Sequence, residues 1–392
     1  MSTPPRSAPA GGVDVRGHNA SLVLTAIAET TAAPRSRAQL AAITGLTRAT
    51  VSTLVDELTA AVLVEDLGAA ATTGRPGRPG SPLRIAAEAP VGVGVEIDAD
   101  VLAVTAVTLD GRVVARRRTP QDLHGREPAD VLERVAVMVE GLDLTVPVAG
   151  IGVAIAALVD GDGVVRNAPN LRHWNGVDVR QLLAERTGLA VVVDNDANLA
   201  ALAHRDAGLR ADFVFVSGEI GVGSGLVLGG EVFRGGHGFA GEFGHVVVDP
   251  GGPPCGCGGS GCVEQYAGEG ALASAVGLHA PYGADQRAEL VAVLTGTPAG
   301  VSAVARAGRA LGVGLASLIN LVDVDDVVVG GLFAEIADAL SPVVAAELAK
   351  RVPGREPRIS ASTLGADAAM HGAAVTVVRR VLREPLDLIR GS

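Results

Sequence analysis

Apolar residues follow two different spacings along this chain, and the change of spacing divides it. Between residues 16 and 70 they recur at helical intervals; from residue 91 they come in dense blocks of Val, Ile, Ala and Leu, the texture of buried strands. In the first region Ser36, with Gln39 three positions on, forms a capping box that starts a helix. Gly45 ends that helix, and Thr47 can cap the next one. There Val51, Leu54, Val55 and Leu58 share one face, leaving Ala49, Ser52 and Thr53 opposite and Arg48 and Thr50 at the flanks. Residues 62–85 read as two short strands around a Gly/Pro/Arg-rich tip, a wing, with Arg75 and Arg78 on stiff extended backbone.

A helix, a tight turn and a helix with a small polar outer face suit the DNA major groove, and arginines on a wing suit the minor groove. A helical hairpin with no ligand, its tip serving as a linker, is the competing reading.

The body alternates. "VGVGVEI", "VLAVTAVTLDG" and "RVVARRRT" predict three successive strands. A helix (127–142), a strand (148–159), a helix (178–187), the strand "VVVDN" and a helix (196–208) follow. The second half opens again with strands, "ADFVFVSGEIG" and "GSGLVLGGEVF". It continues with a long helix through "ARAGRALGVGLASLINLV", the strand "DDVVVGG" and closing helices. This predicts an α/β body of two lobes with a cleft between them.

Composition adds three constraints. The hydrophobic fraction is 48% with only 2% aromatic residues, so aliphatic side chains build the cores. No apolar run is long enough for a membrane span, and "MSTPPRSAPAGG" lacks the apolar core of a secretory signal. Residues 1–15 therefore read as a disordered tail, and a cytoplasmic location with reduced thiols is expected. The net charge is −11, yet residues 1–88 hold eight Arg against seven Asp or Glu, a balance of +1, leaving −12 for the remainder. A weakly basic head on an acidic body fits a DNA-reading module.

All three cysteines lie in "CGCGGSGC", residues 255–262. A disulfide is disfavoured by the compartment and by the short Cys255–Cys257 spacing, and a catalytic thiol needs only one cysteine. Cys255, Cys257 and Cys262, with His245 nine intervening residues upstream, make a Cys₃His set for structural zinc. Asp196 ends a strand where open α/β sheets bind ligands, although a plain helix-start role would also place it there. Glu242 and Glu264 flank the cysteine loop; three carboxylates converging on one cleft would suit a polyhydroxylated ligand.

"GFAGEFGHVVVDPGGPPCGCGGSGCVEQ" closely resembles the signature of the ROK family of sugar kinases and sugar-responsive repressors. "DNDANLAAL" resembles its catalytic-Asp segment, and "GVGSGLVLGGEVFRGGHGFAGEFGH" its glycine-rich segment. "GLTRATVS" and "GRPGRP" resemble the winged helix of its repressor branch. The resemblance spans the chain from about residue 16. It implies a winged helix-turn-helix (16–88) joined to a two-lobed actin-like, ribonuclease-H-like body of the ATPase type (89–392). It also implies sugar contacts from Asn195, Asp196, Glu242, His245 and Glu264. Operator DNA, a sugar effector and a homodimer or homotetramer are the implied partners.

Two departures oppose a kinase. The family's phosphate hairpin D-x-G-x-T reads "EIDADVL" here, with Asp98 for Gly and Asp100 for Thr; a family Gly-Thr-Gly is Glu219-Ile220-Gly221. Each like-charge contact at about 4 Å costs roughly 1 kcal/mol in water-like surroundings and about 4 at intermediate dielectric. The expectation is a repressor without enzyme activity. The alternatives are a sugar kinase fused to a DNA module, with Asp196 as base, or a body that answers to a partner protein. A third departure, Ala156-Ala157 where the family has Pro-Gly, narrows the expected sugar site.

Overall fold

The computed structural model describes residues 15–29, 34–68, 81–279 and 284–390. The predicted tail before Val15 and the wing-tip residues Arg75 and Arg78 lie outside the described residues.

Three helices, α1 (Val15–Ala28), α2 (Arg37–Thr44) and α3 (Arg48–Ala60), pack around Leu24, Leu40, Val51, Val55 and Leu58, all fully buried. Strands β1 (Arg35–Ser36), β2 (Val64–Asp66) and β3 (Pro82–Ile85) form an antiparallel sheet in the order β1-β3-β2. Three helices and this small sheet fit the expected winged helix-turn-helix, with strands within residues 62–85 as read; the helical stretch ends at Ala60 rather than running to residue 70. Both predicted caps are present. Ser36 and Gln39 bond reciprocally, and the Thr47 hydroxyl accepts from the Thr50 N–H at 3.2 Å.

The first lobe contains β4 (Val91–Asp98), β5 (Val101–Val107), β6 (Val113–Pro120), α4 (Pro128–Glu140), β7 (Val148–Ile155), β8 (Leu158–Val159), β9 (Val165–Asn167), α5 (Val179–Thr187), β10 (Val191–Asn195) and α6 (Asp196–Asp206). The second contains β11 (Phe213–Gly218), β12 (Val222–Leu228), β13 (Glu231–Val232), α7 (Glu264–Ala267), α8 (Glu269–Ala275), α9 (Ala284–Gly296), α10 (Pro298–Val322), β14 (Asp326–Gly331), α11 (Leu332–Glu335), α12 (Ala337–Arg351) and β15 (Arg358–Ala361). Helices α13 (Ala368–Arg383) and α14 (Pro385–Arg390) close the chain.

The two main sheets share one topology. Orders β10-β7-β4-β5-β6 and β15-β14-β11-β12-β13 each join an antiparallel trio to two parallel strands. This duplicated mixed sheet is the actin-like body. The strand expected at 148–159 breaks at Ala156-Ala157, where a tight turn brings the Ala157 N–H to Ile155 O at 2.8 Å.

Small residues set how the layers meet. A Cβ on Gly94 would lie 2.1 Å from Met370 O, and one on Gly152 2.0 Å from Ala373 O, so α13 rests directly on β4 and β7. Gly372 of α13 in turn meets the backbone of α6 at Leu199. The head's core does not stop at its last strand. Its cluster continues through Val107, Leu109, Ala374, Val378, Val381 and Leu386, so α13 and α14 join head and body. No single helix among the described residues is long and apolar enough to cross a membrane.

Candidate functional site

The cysteine loop folds on itself through Gly261, whose φ of +69° and backbone packing against Asp249 O exclude a side chain. Gly261 N–H donates to Pro253 O and Cys255 N–H to Gly259 O, closing the loop. The donor atoms of His245, Cys255, Cys257 and Cys262 all lie within 4.8 Å of one another. Cys257 and Cys262 sulfurs are 3.6 Å apart, and Cys255 Sγ is 3.8 Å from His245 Nδ1. Metal–sulfur bonds of about 2.3 Å in a tetrahedron give sulfur–sulfur edges of about 3.8 Å. The donor set and its spacing therefore fit a metal ion. Burial and the neighbouring sulfurs push the Cys262 thiol up to about 12, a strain that a bound cation would relieve. His245 turns its other nitrogen, Nε2, toward Glu242 Oε2 at 3.8 Å, and Gln265 donates to Cys255 Sγ at 3.5 Å.

Next to this loop is a small cavity lined by Leu158, Asn195, Asn198, Ser224, Gly241 and Glu242, among others. It holds about 30 Å³, room for a water or so rather than a sugar ring. Asn195 caps α6: its Oδ1 accepts from Ala197 N (3.0 Å) and Asn198 N (3.2 Å), while its amide donates to Ala157 O (3.2 Å). Burial pushes the Glu242 carboxyl up, and Glu264 adds to this while His245 opposes it. Glu264 reaches back to the Val222 N–H (3.4 Å) and Cys255 Sγ (3.8 Å). Glu264 is among the charges that act on Glu242. The charges that act on Asp196 belong to a second set of acids.

That group lies around the end of β4 and the turn after β11. Glu96 and Asp98 come from β4, Asp196 from the start of α6, Glu219 from the turn after β11 and Glu269 from α8. Burial raises Glu96 to about 7, despite Arg118 at 2.9 Å, and Asp98 to about 6. Asp196 is pushed well above the carboxylate range by burial and then by the charge of Asp98. Burial raises Glu269 to about 7. Glu219 acts on all four; Arg287 holds it at 2.9 Å and Glu335 at 2.7 Å.

On the head, Arg48, Ala49 and Thr53 of α3 are exposed and Thr50 and Ser52 half-buried. Arg37 braces the unit, bonding Asp56 of α3 and Asp66 of β2 at 3.0 Å each.

Sequence reasoning missed three elements of this region. Asn198 is buried, donates to Asp194 Oδ1 at 3.0 Å, and leaves its own carbonyl oxygen unpartnered beside the cavity. Arg234 clamps the other oxygen of Asp194 at 2.6 and 2.8 Å. Asp194 lies at the end of β10 while Asn198 lies in the first turn of α6, so no helical spacing marks the pair. For Arg287, which reaches Glu219 across 68 positions, no local signal exists.

Comparison with known proteins gives a consistent picture. The ROK family profile matches residues 92–380. The xylose repressor of Bacillus subtilis (strain 168) is 27% identical over 362 residues, covering 89% of this chain and 92% of that protein. The crystal structure of a ROK family transcriptional regulator, a homologue of the E. coli MLC protein, superposes with a TM-score of 0.77. It has 25% identity and covers 96% of this chain and 98% of its own. A ROK family glucokinase from Streptomyces griseus, in complex with glucose and AMPPNP, gives 0.63 at 27% identity, covering 73% of this chain and 98% of its own.

Proposed function

This chain belongs to the ROK family, and from that premise we propose that it is a sugar-responsive DNA-binding transcriptional regulator, a repressor, and not a working kinase. The observation that supports this reading is the gathering of Glu96, Asp98 and Glu219, acids that stand at the segments resembling the family's phosphate motifs. A polyphosphate brought there would meet Asp98 from one lobe and Glu219 from the other, while the winged head is kept.

In this reading residues 16–88 bind operator DNA and residues 89–392 sense the sugar. Arg48, Ala49, Thr50, Ser52 and Thr53 face the major groove, and Arg75 and Arg78 of the wing lie in the minor groove. Asn195, Asp196, Glu242, His245 and Glu264 take sugar hydroxyls. The buried unpartnered oxygen of Asn198 offers one more acceptor. His245, Cys255, Cys257 and Cys262 hold structural zinc, which ties the loop together when bound. With His245 Nδ1 turned to the metal, its Nε2 and Glu242 are left facing the sugar. The cavity must widen to admit a sugar, so binding selects a different spacing of the surrounding segments. Two chains paired about a two-fold axis, as a dimer or within a tetramer, would convert that change into a new distance between heads. The cell compartment is that of its DNA, the cytoplasm.

The alternative, a kinase fused to a DNA module, draws on Asp196, which lies in the segment resembling the family's catalytic-Asp stretch. Coupled ATP turnover on a panel of pentoses and hexoses separates the two. We expect no turnover above background; sugar phosphorylation that Asp196→Asn abolishes would overturn the regulator-only reading.

A further inference from the structure

A cavity much larger than the one at the expected sugar site lies elsewhere. It holds about 440 Å³ between the C-terminal half of α13, β13 and the first lobe. Four arginines line it, Arg234, Arg379, Arg380 and Arg383, against two carboxylates, Glu231 and Glu384. Val192, Leu202 and Val232 supply an apolar wall.

Arg379 is the distinctive member. Its side chain is only 18% exposed, and its nearest carboxylates are Asp206 at 3.6 Å and Glu231 at 3.9 Å. Both distances exceed a good hydrogen bond. Burial lowers its pKa, and the neighbouring charges of Arg205 and Arg383 add to that. A guanidinium held four-fifths buried, crowded by other guanidinium groups and short of close acceptors, is prepared for an anion. Arg380 is the loosest of the others, 61% exposed with Glu384 at 3.9 Å. Arg383, 59% exposed, pairs directly with the exposed Glu231, and Arg234 is held by Asp194.

We propose that this cavity binds a small phosphate ester, its phosphate taken by Arg379, Arg380 and Arg383 and its organic part by the apolar wall. A bare phosphate would leave most of the volume unfilled. The same side chains connect the cavity to the head and the other pocket. Thr376, Arg379, Arg380 and Arg383 lie on α13, whose Val378 and Val381 pack in the head's core. Arg234 clamps Asp194, whose other oxygen orients Asn198 and the Asn195 N–H beside the small cavity. An anion that draws Arg234 away would loosen both asparagines. This antagonism rests on the sugar reading; the binding itself does not.

Calorimetric titration of the full-length, zinc-loaded chain tests it, using glycerol 3-phosphate, a pentose 5-phosphate and inorganic phosphate as probes. We expect an ester to bind, and Arg380→Gln with Arg383→Gln to weaken it at least tenfold, without loss of the thermal transition. Asp196→Asn should leave it unchanged. Tighter binding of an ester than of inorganic phosphate supports the full proposal; equal binding overturns the ester and assigns the site to the free anion. No heat from any probe at millimolar concentration overturns the site. So does binding that the arginine changes leave intact or that Asp196→Asn removes. If the arginine changes alter only the sedimentation coefficient, the cavity is an interface between copies, and the proposal fails.

Discussion

At the scale of single residues, the altered cleft makes a pH-dependent prediction. Asp98, raised to about 6, and Glu96 and Glu269, raised to about 7, hold protons in the folded chain that the unfolded chain releases. Their contribution to stability is therefore full below the unfolded carboxylate range and is lost as pH rises through 6 to 7. Asp98→Asn keeps an oxygen for the Ala99 N–H and removes the charge. It should stabilise the protein by about 1–3 kcal/mol at pH 8 and by little at pH 4. Denaturant unfolding at the two pH values checks this; equal effects at both would contradict it. The two departures that carry this cluster were readable as substitutions at a known motif. The balancing Arg118 and Arg287 were not, because each reaches its acid from far along the chain. For the metal ligands the reverse held. The sulfurs are close in sequence, and only His245 had to be brought in across a proline-containing turn. Asn195 could be picked out at the start of α6, but not that its amide is taken by Ala157 O.

At the scale of elements, the periodic pattern located nearly every long helix and strand, because buried faces impose it. Its failures have physical causes. β15 is a four-residue edge strand whose residues are mostly exposed, so no apolar alternation marks it. The break between β7 and β8 falls in an unbroken apolar run, where only a turn, invisible to hydropathy, stops the strand. The glycines of β4 and β7 carried more than the strand pattern suggested. They are the seat of α13, the helix that links the head to the arginine-lined cavity. Gly152→Val would push a side chain into the backbone at Ala373 and should destabilise by about 3 kcal/mol or more. The same change at Gly161, with nothing within 4 Å, should cost little. Thermal unfolding of both variants is the check, and equal transitions would dismiss the close seat.

At the scale of the whole molecule, three observations agree. The head is three helices and a three-stranded sheet whose core runs into α13. The body has the duplicated mixed sheets of its ROK family relatives. Similarity to a xylose repressor extends over 89% of the chain. The relation between head and body was the part least readable in sequence, since Val107, Leu109 and Ala374 look like ordinary core of the body until the head is seen resting on them. One measurement tests the regulator reading directly: fluorescence anisotropy of labelled DNA from upstream of the protein's own gene, titrated with the zinc-loaded chain, with and without xylose and other aldoses. The account predicts salt-dependent binding below about 0.1 μM at one such fragment. It also predicts that one sugar shifts the affinity at least about fivefold. DNA affinity no tighter than for random sequence, or specific binding that no sugar changes, would contradict it.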